Sequence, residues 1–321
     1  MTAVVVAGGG AMGTALANVI ALTNGKPVKL YLRDRSLRDT INQRHENPKY
    51  FPATPLCHDV SASTEIECFS RAEVVFLAVP SGAILKMAES IKPYLDKDVI
   101  LVNLAKGLGV GMNTLVQGVE EITGRETCSM KGPTFACEII RNSPTAFTLA
   151  TTRDEVRDCI TALFQNSQVR LDYSSNINGV EFSSILKNIY AIVIGVVDAQ
   201  LNSANARFLV MTKASWEMRE ALDLLTGGGD VIHKYCGYGD LGLTALNDMS
   251  RNRTLGLLIG KGFLSSVGEQ GVILEGAKAL NAIWDSLGQS SHRQRFPIMG
   301  ALAGLVAGEI DVQQFVADVL E

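Results

Sequence analysis

Three glycines and a few scattered cations carry the chemistry legible in this chain. Gly8, Gly10 and Gly13 stand at G-x-G-x-x-G spacing, directly after the β-branched run Val4-Val5-Val6. The small and apolar stretch Thr14–Leu22 follows them. A strand that breaks into glycines and resumes as a helix near Ala11 lets a pyrophosphate approach the backbone. The free N–H groups and positive dipole end of the helix then face that anion. Gly8, Gly10, Ala11, Met12 and Gly13 are therefore candidates for binding a dinucleotide. A glycine turn kept only for close packing is the alternative.

Lys187 lies inside an apolar helical stretch, on a face with Ser183, Ser184, Asn188 and Ala191. Burial would lower its pKa toward the range useful for proton transfer. A lysine whose head group snorkels to water fits the same sequence. Lys106 follows the apolar stretch Asp98–Leu104, and Lys131-Gly132-Pro133-Thr134 ends another strand in the same way. Ligands of open α/β sheets gather outside the carboxyl ends of strands, so Lys106, Gly132 and Thr134 are candidate ligand contacts, with plain turns as the alternative. Asp240 sits among glycines in Gly237–Gly242, as a positioned carboxylate or as a helix cap. Ser250-Arg251-Asn252-Arg253 gathers donors suited to a phosphate, or merely begins a helix. Arg33 stands at the end of the second expected strand, where an arginine accommodates the 2′-phosphate of NADP, while an acid there would hold the ribose of NAD. The cofactor expected is NAD or NADP.

The elements that must position these residues change character along the chain. Lys29–Arg33, Glu73–Val79, Asp98–Leu104, Pro144–Ala150 and Val169–Asp172 read as strands. Ala83–Tyr94, Met112–Ile122 and Glu155–Phe164 read as the helices between them. Such alternation predicts a doubly wound parallel sheet covered on both faces. From Asn178 onward the pattern is helical almost throughout. Phe182, Ile185, Leu186, Ile189, Val193, Val196 and Val197 keep the i, i+3, i+4 rhythm, and Ile192 and Ile194 fill the remaining faces. The expected fold is an α/β Rossmann-type domain over 1–175 with an all-helical, substrate-binding domain over 176–321.

Composition narrows the class. The 321 residues are 47% hydrophobic and 19% charged, enough for two sizeable cores. A net charge of −4 and the absence of a basic block speak against nucleic acid. Cys57, Cys68, Cys128, Cys137, Cys159 and Cys236 form no CxxC pair, which favours reduced thiols over disulfides or a metal site. No signal peptide and no uniform membrane span are read, so a cytoplasmic location without membrane insertion is expected. A helical domain with an apolar, small-residue surface suggests a homodimer.

Taken in order, the motifs resemble the NAD(P)-dependent glycerol-3-phosphate dehydrogenase family. They are the N-terminal glycine loop, Ala105-Lys106-Gly107, Gly132–Glu138, Gly179-Val180-Glu181 and Leu186-Lys187-Asn188. Gly239-Asp240-Leu241, Ser250–Arg253 and Glu275-Gly276 complete the series. The match covers nearly the whole chain. The resemblance implies reversible reduction of dihydroxyacetone phosphate to sn-glycerol 3-phosphate. It makes Lys187, Lys106 and Asp240 the catalytic residues: Lys187 the proton donor, Asp240 the acid that holds that lysine and the substrate hydroxyl, and Lys106 a contact to both substrate and cofactor. It places Gly132, Thr134, Ser250, Arg251 and Asn252 at the substrate, and Ala136, Arg251, Ile273 and Glu275 at the cofactor. It implies no metal.

Three positions depart from the family pattern. Met12 replaces a common Trp, Ser203-Ala204-Asn205-Ala206-Arg207 replaces a Gly-Asp-Asn-Ala-Lys segment, and Lys131 replaces a Ser before Gly-Pro. The last adds a cation near the expected pocket, as would suit a divergent member whose substrate carries another anionic group. A hydroxyacid or ketoacid dehydrogenase of the same superfamily is a second reading, since its glycine loop resembles this one. The Ser250–Arg253 donors, which suit a phosphorylated substrate, argue against it. A non-catalytic nicotinamide sensor is a third, and it would not need Lys106, Lys187 and Asp240 together.

Overall fold

Short β-branched runs set the frame of the first unit. In chain order the strands are β1 (Val4–Ala7), β2 (Val28–Tyr31), β3 (Val60–Ser63), β4 (Val74–Leu77), β5 (Ile100–Asn103), β6 (Thr127–Lys131), β7 (Thr145–Ala150) and β8 (Val169–Ser174). The structure is a computed structural model that describes residues 3–263, 275–287 and 292–321. The strands form one sheet in the order β3-β2-β1-β4-β5-β6-β7-β8. β1 and β4 are buried at every position, as parallel strands covered on both faces must be. The chain turns from one direction of winding to the other between β1 and β4, so the sheet's switch point lies at their carboxyl ends.

One expectation needs correction. The sheet is not wholly parallel, because β7 pairs antiparallel with β6. The link between them holds only the four-residue helix α5 (Ala136–Ile139), one turn of about 6 Å, too short to carry the chain back along the sheet. The strand β3, Val-Ser-Ala-Ser, escapes a reading by apolar runs because it has a single β-branched aliphatic. The other helices of this part are α1 (Ala11–Asn24), α2 (Arg35–Arg44), α3 (Ile84–Ile91), α4 (Leu115–Thr123) and α6 (Asp154–Ala162).

The second unit is helical: α7 (Ile177–Leu201), α8 (Ala204–Thr226), α9 (Asp240–Leu246), α10 (Arg251–Gly260), α11 (Glu275–Ser286), α12 (Pro297–Ala307) and α13 (Val312–Leu320). By its contacts the chain divides into Met1–Ala105 with Asn113–Ile177, and Lys106–Met112 with Asn178–Glu321. A purely sequential boundary would leave 106–112 with the sheet. That segment instead joins the helices, since Leu108 and Met112 pack against their core.

Helix α7 is the axis of this unit. It is long and apolar enough to cross a membrane, but its most apolar stretch is wholly buried by neighbouring helices. Helix α10 lies directly against it. A Cβ on Gly256 would sit 2.1 Å from the Ile192 carbonyl oxygen, and one on Gly195 would sit 2.4 Å from that of Arg253. Glycine at both positions lets the two backbones touch.

Candidate functional site

In the first unit, the glycine loop sits at the switch point. Gly8 leaves β1 with φ of +126°, a conformation that side-chain-bearing residues rarely adopt. Its N–H donates to the Tyr31 carbonyl at 2.9 Å, and a Cβ there would lie 2.7 Å from the Ala78 carbonyl. A Cβ on Gly13 would lie 2.0 Å from the Gly8 carbonyl, so that glycine allows α1 to approach the strand. At Gly10 a Cβ would meet nothing within 4 Å. Gly10 caps α1 with its carbonyl, which accepts the Thr14 N–H at 2.9 Å. The loop therefore presents open space at the positive end of a 14-residue helix, a cradle that fits a dinucleotide pyrophosphate. Ala11 and Met12 are partly buried and pack against the core of this unit.

At the end of β2, Arg33 is exposed. The neighbouring Asp34 carboxylate accepts the Leu37 N–H at 3.1 Å and so caps α2. Gly132 follows β6 with its backbone pressed on β7, for a Cβ would lie 2.2 Å from the Ala146 carbonyl. The Thr134 hydroxyl donates to the Gly132 carbonyl at 3.3 Å. Ala136 opens α5 and packs into the core. Lys131 is fully buried, and its Nζ donates to the Asn103 carbonyl at 2.8 Å.

The second unit assembles a charged cluster. Lys187 projects from the middle of α7 and is 4% exposed, which removes the snorkelling alternative. Its Nζ donates to Asp240 Oδ1 at 2.8 Å and to Thr244 Oγ1 at 2.6 Å. Lys106 donates to the other oxygen, Asp240 Oδ2, at 2.7 Å. Asp240 begins α9, but its carboxylate meets lysines and does not cap that helix. Thr244 lies one turn further along α9, so a single helix supplies both of Lys187's partners. The spacing of Thr244 from Asp240 is the signal that could have found it.

Burial drives the Lys187 ammonium down to about 7. Asp240 opposes that fall, and the positive charge of Lys106 adds to it. One carboxylate between two lysines leaves a positive excess when both are protonated. Such a cluster attracts an anion, stabilises an oxyanion and can exchange a proton near neutral pH.

The Ser250–Arg253 segment resolves into different duties. The Ser250 hydroxyl caps α10 by accepting the Arg253 N–H at 3.3 Å. Arg253 is not a free phosphate donor, which corrects the reading of four adjacent donors. It is buried against Asp198 and donates to the Ala245 carbonyl at 3.0 Å. Arg251 is exposed. Asn252 Oδ1 is buried with no hydrogen-bond partner among the described residues. Ile273 and the Glu275 side chain lie outside the described residues.

Comparison with known proteins gives this geometry a family. Residues 3–157 match the NAD-dependent glycerol-3-phosphate dehydrogenase N-terminus, and residues 176–317 match the corresponding C-terminus. The chain is 35% identical over 283 residues to a glycerol-3-phosphate dehydrogenase [NAD(P)+] of Methanothermobacter thermautotrophicus, covering 87% of each chain. It is 33% identical over 329 residues to that of Desulfovibrio desulfuricans, covering 99% of this chain and 96% of the other. Among solved structures, a glycerol-3-phosphate dehydrogenase from Coxiella burnetii aligns with a TM-score of 0.86 at 26% identity, over 100% and 99% of the chains. The fold also matches that from Plasmodium falciparum, with a TM-score of 0.90 at 17% identity, over 100% and 95%. The chain belongs to the NAD-dependent glycerol-3-phosphate dehydrogenase family.

Proposed function

We propose that this chain is an NAD(P)-dependent dehydrogenase that interconverts dihydroxyacetone phosphate and sn-glycerol 3-phosphate. The observation that carries the mechanism is the carboxylate of Asp240 shared by Lys187 and Lys106. When bound, NAD(P)H supplies the hydride to the carbonyl carbon. Lys187 delivers the proton to the carbonyl oxygen as charge grows there, and takes it back in the oxidative direction. Asp240 orients Lys187, and Thr244 holds the same ammonium. Lys106, partly exposed, supplies the second positive charge to the substrate and lines the cofactor.

Gly8, Gly10, Ala11, Met12 and Gly13 hold the pyrophosphate, and Arg33 faces the ribose end. Arg251 meets the substrate phosphate, with help from Asn252 and from the Ser250 hydroxyl, which donates to no group among the described residues. Gly132 and Thr134 form the substrate's other contacts. Ala136, Arg251, Ile273 and Glu275 complete the cofactor site.

The protein works as a homodimer in the cytoplasm, without membrane insertion. The six cysteines, all free thiols, fit a reducing compartment. The exposed Phe208, Leu209 and Trp216 of α8 fit a self-association surface.

The test is to follow oxidation of NADH and of NADPH by the purified protein with dihydroxyacetone phosphate, dihydroxyacetone and a panel of ketoacids. Turnover with the phosphorylated ketone is expected. Turnover confined to a non-phosphorylated ketoacid would defeat the reading.

A further inference from the structure

Asn47 is wholly buried in the turn that follows α2, far from the charged cluster in sequence. Its Nδ2 donates to the Thr14 hydroxyl at 2.8 Å and to the Gly9 carbonyl at 3.3 Å. The Thr14 hydroxyl in turn makes a long 3.5 Å bond to the same carbonyl. The turn itself is tied to α1 a second time, where Asn18 accepts the Cys57 N–H at 2.7 Å. Phe51 and Leu56 anchor it in the core.

The Asn47 amide is used one-sidedly. Both donated bonds are made, while its Oδ1 is buried with no partner among the described residues. Leaving a buried acceptor unpaired is destabilising. Filling space does not account for such a residue, since an apolar side chain would fill it without that cost. Donation to the glycine loop does account for it.

The Gly9 carbonyl matters because of its neighbour. A trans peptide is planar, so the carbonyl of Gly9 and the N–H of Gly10 point in opposite directions. Fixing one aims the other. Between two glycines that plane turns over easily, for no Cβ resists it. Gly10 is also the loop position with open space beside it.

We propose that Asn47, acting with Thr14, is the positioning residue of the pyrophosphate loop. It locks the Gly9–Gly10 peptide so that the Gly10 N–H is presented to the dinucleotide before the dinucleotide arrives. This rests on the reading of Gly8–Gly13 as the dinucleotide loop.

The experiment measures Kd for NADH, NADPH and ADP-ribose, together with kcat and the KM for dihydroxyacetone phosphate. The proteins compared are wild type, Asn47→Ala, Thr14→Val and Thr14→Ser. Asn47→Ala should weaken binding of all three ligands about tenfold, the loss of roughly one well-placed hydrogen bond. Thr14→Val should weaken it severalfold, and Thr14→Ser, which keeps the hydroxyl, should restore it. At saturating cofactor, kcat and the substrate KM should stay within about twofold. Should Asn47→Ala fail to fold, the Thr14 pair carries the test. Unchanged dinucleotide Kd in a folded variant of lowered thermal midpoint would make the role purely structural and overturn the proposal. If wild type bound no dinucleotide or ADP-ribose, the reading of the loop itself would fall, and the proposal with it.

Discussion

Lys187 and Asp240 lie 53 positions apart in sequence and 2.8 Å apart in space, each almost completely removed from water. A buried ammonium is stable only with a partner, and this partner is shared with Lys106. Replacing Lys187 with Met keeps the bulk of the side chain and leaves Asp240 paired with Lys106. Turnover should fall by about 10²–10⁴, the usual contribution of a positioned proton donor. NAD(P)H affinity, read by fluorescence titration, should be unchanged. Near-normal turnover would remove Lys187 from the mechanism.

The depressed pKa of Lys187, about 7 against an ordinary 10.5, makes reductive catalysis and stability depend on pH in opposite ways. Ketone reduction needs the protonated amine, so its kcat/KM should decline as pH rises through about 7. Oxidation needs the neutral amine and should rise through the same range. For stability, both folded and unfolded chains hold the proton below about 7, and the burial cost is fully present. Between there and 10.5 the folded chain has released a proton that the unfolded chain still holds, so stability should increase with pH. Chemical denaturation of wild type and Lys187→Met across this range isolates the effect. A parallel pH dependence in the two proteins would count against it.

Asp240→Asn leaves two lysines facing an uncharged amide. Losing one partner of a buried pair typically costs about 3–5 kcal/mol. With its favourable charge gone, Lys187 should ionise even less readily, and the reductive pH limb should move to lower pH. Denaturant midpoints and pH profiles of the same preparation check both effects.

The glycine loop gives a contrast that needs no ligand structure to interpret. Gly10→Ala meets open space, so the variant should fold with an unchanged thermal midpoint and bind NAD(P)H more weakly. Gly13→Ala would drive a methyl to 2.0 Å from the Gly8 carbonyl and should destabilise the protein itself. Equal thermal midpoints for the two variants would contradict this division.

Arg33 is exposed beside an acid already committed to capping α2. Arg33→Asp should therefore shift the ratio of kcat/KM for NADPH over NADH toward NADH, by about tenfold or more for a lost charge-assisted contact. An unmoved ratio would exclude Arg33 from the 2′-phosphate.

The sequence by itself determined the local elements and the family. The β-branched run before Gly8, the apolar periodicity of 182–197 and the order of the short motifs are properties of neighbouring residues, and they survive as β1, α1 and α7. Long-range partnerships were a different matter. Lys187 read equally well as a snorkelling surface lysine, Asp240 as a cap and Arg253 as a phosphate donor, because each depends on what the fold places opposite it. Tertiary packing decided all three: α9 faces α7 with Asp240 and Thr244, and Arg253 turns inward to Asp198. The short α5 reversed one strand, and Leu108 and Met112 drew 106–112 to the helical core. Asn47 was invisible for the same reason. Its role lies in a hydrogen bond across 38 positions, which no local pattern of side chains encodes.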